Sequence, residues 1–172
     1  MELNSNTILF MKFCADGKLD QAKKTLSKCN DIQIQMIKDD IFITMCQRGK
    51  LQMLKWFYEL TSNINIRSKE DLAFRSVCSF GYLSVAKWLI ELDPSINISA
   101  VNDEAFRSSC KHGYIDVASW LLEIKPNLNI FACNHEAFVN ACKYNDIRVA
   151  NWLVKIAPNN YTFETGIDFE YS

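Results

Sequence analysis

Phenylalanine stands at Phe10, Phe42, Phe74, Phe106 and Phe138, each 32 residues after the last. Cysteine keeps the same interval at Cys14, Cys46, Cys78, Cys110 and Cys142, and tryptophan keeps it at Trp56, Trp88, Trp120 and Trp152. On this period "AFRSSCKHGYIDVASWLLEIKPNLNI" (105–130) aligns with "AFRSVCSFGYLSVAKWLIELDPSINI" (73–98) and "AFVNACKYNDIRVANWLVKIAPNNYT" (137–162). It also aligns with "IFITMCQRGKLQMLKWFYELTSNINI" (41–66) and, more faintly, with "LFMKFCADGKLDQAKKTLSKCNDIQI" (9–34). One local structure is therefore built five times. No single copy can bury its own apolar face, so the core must come from stacking neighbours.

Each copy predicts two short helices. In the fourth, Phe106 and Cys110 are four apart and share a face, and Asn102 and Asp103 precede them as natural N-caps. Gly113 ends this first helix by taking a left-handed conformation, a place held elsewhere by Gly17, Gly49, Gly81 and Asn145. The second helix runs from about Asp116 with Val117, Trp120, Leu121 and Ile124 at spacings of three and four, and Pro126 stops it, as Pro94 and Pro158 do in their copies. The closing "NLNI" predicts an extended connector whose isoleucine (Ile34, Ile66, Ile98, Ile130) tucks beneath the next unit. The expected organisation is a single all-α domain over 1–172, with units of about 5–36, 37–68, 69–100, 101–132 and 133–164 and a tail at 165–172.

Short helices joined by a long extended connector resemble the ankyrin repeat, over residues 9–162. "EAFRSSCKHGY" matches the spacing of that family's first helix, with Phe106 in a leucine place, Cys110 in an alanine place and Gly113-Tyr114 for Gly-His. "VASWLL" resembles its second helix and "NLNI" its Asp-Val-Asn turn. The Thr-Pro start is missing, and the late glycine is replaced by Asp93, Lys125 or Ala157 followed by proline. The Ala-Phe-(x)3-Cys, Trp-Leu, Pro variant resembles the ankyrin arrays of large DNA viruses of amoebae. A tetratricopeptide-type array would need a longer unit and longer helices.

Composition narrows the chemistry. Lys and Arg number 19 against 20 Asp and Glu, which gives no reason to expect nucleic acid or an acidic membrane surface as partner. No apolar run approaches the roughly 18–20 residues of a membrane span, and "MELNSNTILFMKF" lacks a secretion-signal pattern. The seven cysteines include no CxxC pair, so the expectation is free thiols in a reducing, cytoplasmic setting. Stacked equivalents lie roughly 8–10 Å apart, too far for a disulfide or shared zinc. The periodic cysteines are therefore expected as small buried hydrophobes, with Cys133 the one thiol expected to be exposed. His112 and His135, the only histidines, form no metal motif. No cofactor, metal or catalytic residue is expected.

The tryptophans are expected to join one unit to the next. In the first copy Lys24 replaces Trp beside Lys23, as suits a polar cap. At the other end Phe163, Ile167, Phe169 and Tyr171 could fold back over the last unit. The expectation is a monomer, with dimerisation through that end as the alternative.

Two functions compete. One is a non-catalytic scaffold binding a protein through its concave surface, in the viral reading a host factor in the host cytoplasm. The other, prompted by the cysteines, is a thiol-based redox sensor or enzyme. The resemblance implies that contacts lie at hairpin tips and just before each glycine: Gln47, Arg48, Ser68, Lys69, Asp71, Ser79, Phe80, Val101, Asp103, Lys111, His112, Cys133, His135, Lys143 and Tyr144. Of these, Arg48, Phe80, Lys111, His112, His135, Lys143 and Tyr144 are the expected partner-binding residues. Nucleic-acid binding would rest on Lys111, Lys143 and Arg48 alone, diluted by Asp71 and Asp103.

Overall fold

A computed structural model describes residues 2–160. It is all-α: α1 (Ser5–Asp16), α2 (Leu19–Lys28), α3 (Ile34–Gln47), α4 (Leu51–Leu60), α5 (Ser68–Ser79), α6 (Leu83–Leu92), α7 (Ala100–Lys111), α8 (Ile115–Ile124), α9 (Ala132–Lys143) and α10 (Ile147–Ile156). No strand occurs among the described residues. The first helices pack in series, α1 on α3, α3 on α5, α5 on α7 and α7 on α9, and each carries its own second helix beside it. The result is a solenoid of helix pairs, and the sequence period is its step.

The three periodic residue types hold the stack together. Phe10, Phe42, Phe74 and Phe106 are at most 1% exposed, and Cys14, Cys46, Cys78 and Cys110 are fully buried. Each of these phenylalanines meets the tryptophan of the following pair, with ring centroids 6.3 Å apart for Phe10–Trp56, Phe42–Trp88 and Phe74–Trp120 and 6.2 Å for Phe106–Trp152. Burying a phenylalanine contributes about 2–3 kcal/mol, and tilted ring pairs add roughly 0.5–1.5 kcal/mol. The contact crosses a junction every time, so these residues couple units rather than filling one of them. At the last pair the cover thins, and Phe138 and Cys142 are only half-buried. The expected folding back of Phe163, Ile167, Phe169 and Tyr171 lies outside the described residues.

Turn chemistry follows the period at the end of each first helix. Gly81 has φ +73, and Asn145, which stands in the glycine place of the last copy, has φ 54. The second helices stop at Leu92, Ile124 and Ile156, two residues before Pro94, Pro126 and Pro158.

The start of the first helices differs from expectation. Asn102 and Asp103 do not cap α7; with Val101 they form a left-handed turn, at φ 54, 55 and 58. Lys69–Asp71 and Cys133–His135 do the same. Such residues cost roughly 1–2 kcal/mol each, so something must hold them. In two of the three turns an arginine does. Arg107 donates from Nε to the Asn102 carbonyl at 2.8 Å and from Nη2 to the Val101 carbonyl at 3.0 Å, while Nη1 reaches the Glu136 carboxylate of the next pair. Arg75 repeats this with the carbonyls of Glu70 and Lys69 and the carboxylate of Glu104. Both arginine side chains are only 11% exposed.

Connectors are tied down by a second periodic device. Thr7 Oγ1 accepts from the Gln33 N–H at 3.0 Å, Asp39 Oδ1 from Asn65 N–H at 2.9 Å, and Asp71 Oδ2 from Asn97 N–H at 3.2 Å. The connector itself is made largely of turns rather than the extended segment expected. Ile66 is buried as expected, while Ile34, Ile98 and Ile130 are half-buried; Ile96 and Leu128, two residues before the last pair, go deeper.

Candidate partner-binding ridge

The last residues of successive first helices lie one pair apart along the stack. Arg48 follows α3, Phe80 follows α5, Lys111 and His112 close α7, and Lys143 and Tyr144 close α9. All six are exposed. The Nζ atoms of Lys111 and Lys143 each lie 6.0 Å from the centroid of the Tyr144 ring. Two ammonium groups thus bracket one aromatic ring, and neither has a carboxylate partner among the described residues. Lys111, His112 and Tyr144 line a shallow open hollow of about 270 Å³.

Aromatic side chains extend this feature toward the N-terminus. Phe80 stacks on Tyr82 at 6.1 Å with 26° between planes, and His112 leans on Tyr114 at 6.3 Å. Tyr114 in turn lies against the α-carbon of Gly81, and Tyr82 against that of Gly49. A Cβ at Gly81 would sit 2.4 Å from the Tyr114 ring. The glycines therefore serve both the left-handed turn and the seating of the next ring. Tyr82 and Tyr114 were not among the expected contact residues, although their fixed place after glycine was a visible signal.

Other expected residues lie elsewhere. His135 sits in the left-handed turn at the start of α9, 5.2 Å from the Phe131 ring and at the opposite end of that helix from Lys143. At 1.5 Å per residue, the helical stretch between them is roughly 12 Å long. Arg48 joins the ridge partly neutralised, 3.9 Å from Asp16, which also meets Lys18 at 3.5 Å. Asp71 and Asp103 are not surface contacts: they are 3% and 7% exposed. Asp71 holds Arg67 Nε at 3.2 Å and the Asn97 N–H, so its place in the pattern is structural. Ser68, Lys69 and Val101 belong to the left-handed turns or their edges, away from the ridge.

Burial raises the Cys14 thiol pKa to about 12 and pushes those of Cys46, Cys78 and Cys110 higher still. It raises Cys142 as well. Thiol chemistry needs the thiolate and so a lowered pKa; these sites are shifted the other way. Cys133 is exposed and Cys29 half-buried. Among the described residues no three His, Cys, Asp or Glu side chains are grouped so as to hold a metal ion. No helix among them is long and apolar enough to cross a membrane.

No family model matches the chain, and no curated protein matches it. Among solved structures, an ankyrin repeat family protein from Legionella pneumophila superimposes with a TM-score of 0.63 at 22% identity. The match covers 92% of this chain and 50% of that one, so the chain spans half the length of that neighbour. The fold is an ankyrin-repeat solenoid. In this ankyrin-repeat chain the Phe–Trp junctions and the arginine-held turns belong to the scaffold, and the ridge residues stand outside both.

Proposed function

We propose that this ankyrin-repeat chain is a non-catalytic scaffold that binds a protein through its concave surface, along the ridge of Arg48, Phe80, Lys111, His112, Lys143 and Tyr144. The observation that carries this reading is the Lys111–Tyr144–Lys143 cluster. Two cations and a large ring are exposed together, without a carboxylate partner among the described residues, in a chain that is close to neutral as a whole. A stiff aromatic surface flanked by cations suits an acidic or aromatic-rich partner segment. A rigid stack also loses little conformational entropy on binding. His135 makes a separate contact if the partner spans the length of α9. The resemblance to viral arrays supports a host protein as partner and the host cytoplasm as the place of action.

Affinity capture from amoebal lysate, with identification by mass spectrometry, supplies the partner. Lys111→Glu with Lys143→Glu should then slow association and weaken its salt dependence, and Tyr144→Ala should weaken binding about tenfold or more. Unchanged affinity in both variants would place the interface elsewhere. The thiol-based reading is tested separately by alkylating the native protein: fast, low-pKa reaction at several cysteines would favour it over the scaffold.

A further inference from the structure

The N-terminal face of the stack is not the polar cap that Lys23 and Lys24 suggest. In every later pair, the residue one before the periodic phenylalanine is buried against the preceding pair: Ile41 is 1% exposed, and Ala73, Ala105 and Ala137 are 0%. Their counterpart Leu9 is 42% exposed, and its neighbour Ile8 is 56% exposed. Four residues on, Met45, Val77, Ser109 and Ala141 are at most 1% exposed, whereas their counterpart Phe13 is half-buried. Leu9 and Phe13 of α1, with Asn6, form one wall of a groove of about 360 Å³, and Lys24, Thr25 and Lys28 of α2 form the other.

The direction of this groove is set by the fold. Position 24 is the tryptophan place, and each tryptophan faces the phenylalanine of the preceding pair. Lys24 and Lys28 therefore point where a preceding helix pair would pack, and neither makes an ion pair among the described residues. From this arrangement we infer that the N-terminal groove is a second docking site, whose occupant is a partner's amphipathic helix with an apolar stripe and an acidic flank.

A helix is the occupant because the equivalent surface at every internal junction is covered by a helix, and Leu9 and Phe13 present the i, i+4 spacing that a helical stripe fills. The flank is acidic because the wall that elsewhere carries Trp56 and Leu60 here carries Lys24 and Lys28. No cation is called for on the other side, since the place of Glu104 and Glu136, which receive Arg75 and Arg107, is taken by Ile8. A second copy fits less well. Stacking its last pair here would set Phe138 against Lys24, where each internal junction sets phenylalanine against tryptophan.

The test is selection from a displayed library of randomised 20-residue amphipathic helices against the full chain. Enriched sequences should carry Asp or Glu beside the apolar stripe. Their affinity should fall about tenfold or more with Leu9→Ser and, independently, with Lys24→Glu plus Lys28→Glu, while Lys111→Glu plus Lys143→Glu leaves it unchanged. Unchanged circular dichroism melts establish that the variants are folded, and the exposed lysine pair serves if Leu9→Ser is not. Enrichment of uncharged or basic helices, or of none, overturns the inference. So does a concentration-dependent dimer in light scattering that Leu9→Ser dissolves, which would give the groove to a second copy. Tenfold tighter peptide binding after removal of 161–172 would likewise overturn it, by giving the groove to the chain's own end. None of these results bears on the Lys111–Tyr144 ridge.

Discussion

Arg107 reaches from one repeat to Glu136 of the next while its remaining guanidinium N–H groups hold the carbonyls of Val101 and Asn102. One side chain thus supports a strained turn and ties two units together. Its period is that of the array, since Arg75 and Glu104 repeat it. Where the arginine place is Ile43, the carboxylate place is Leu72, and α3 starts without a left-handed turn.

Arg107→Met should destabilise the protein by about 2 kcal/mol, because the turn carbonyls lose their donors and a partly buried pair loses one member. Arg107→Ile with Glu136→Leu, copying the chain's own Ile43 and Leu72, should restore part of that loss. Urea midpoints of the three proteins decide it. A double variant no better than the single would mean that the turn, rather than the ion pair, is what the arginine supports.

Trp120→Ala should cost about 3–5 kcal/mol, since Trp120 fills the junction against Phe74 and leaves a large void when cut back. Cys110→Ala removes one buried sulfur and should cost less than about 1 kcal/mol. Equal urea midpoints for the two would contradict the packing described for this junction.

Gly81→Ala and Gly17→Ala share a left-handed backbone at φ +73 but differ in what a Cβ would meet. At Gly17 it meets the flexible Lys50 side chain, so the cost should be the backbone term of about 1 kcal/mol. At Gly81 it meets the Tyr114 ring, so the loss should exceed that of Gly17→Ala by at least about 1 kcal/mol. Tyr114 fluorescence or side-chain NMR shifts should change only in the Gly81 variant.

Alkaline pH should destabilise the native state through Cys14. Burial raises its folded pKa to about 12 from the ordinary thiol value of 9.0. The unfolded chain therefore loses this proton first. The contribution is fully present below about pH 9 and falls as pH rises toward 12, by about 1.4 kcal/mol per unit within that window. Between pH 8 and pH 10.5 the urea midpoint of Cys14→Ala should accordingly fall less than that of the parent protein. Parallel curves would show that Cys14 ionises equally in both states.

Much of the fold is legible in the residue order because the array is nearly one-dimensional. Phe106, Cys110 and Trp120 face the same neighbours in each unit, so burial recurs with the period and can be read as a pattern. The left-handed glycines and the prolines after the second helices are local backbone effects, legible for the same reason. The left-handed turns are legible only in part. Asn102 and Asp103 tolerate positive φ better than most residues, whereas Val101 does not, and the carboxylate that anchors the supporting Arg107 lies 29 residues away in sequence. Asp71 is likewise drawn into the interior by a backbone N–H that lies 26 residues away.

The candidate surfaces divide along the same line. Lys111, His112, Lys143 and Tyr144 stand outside the repeating core and could be picked from the pattern, whereas only packing shows that both ammonium groups reach one ring and that His135 stands apart. Leu9 and Phe13 are apolar at positions that are buried in every other unit, so the sequence by itself marks them as core. Their exposure follows from which neighbour is present across the junction, and a residue's burial in a stack is a property of that pair of units.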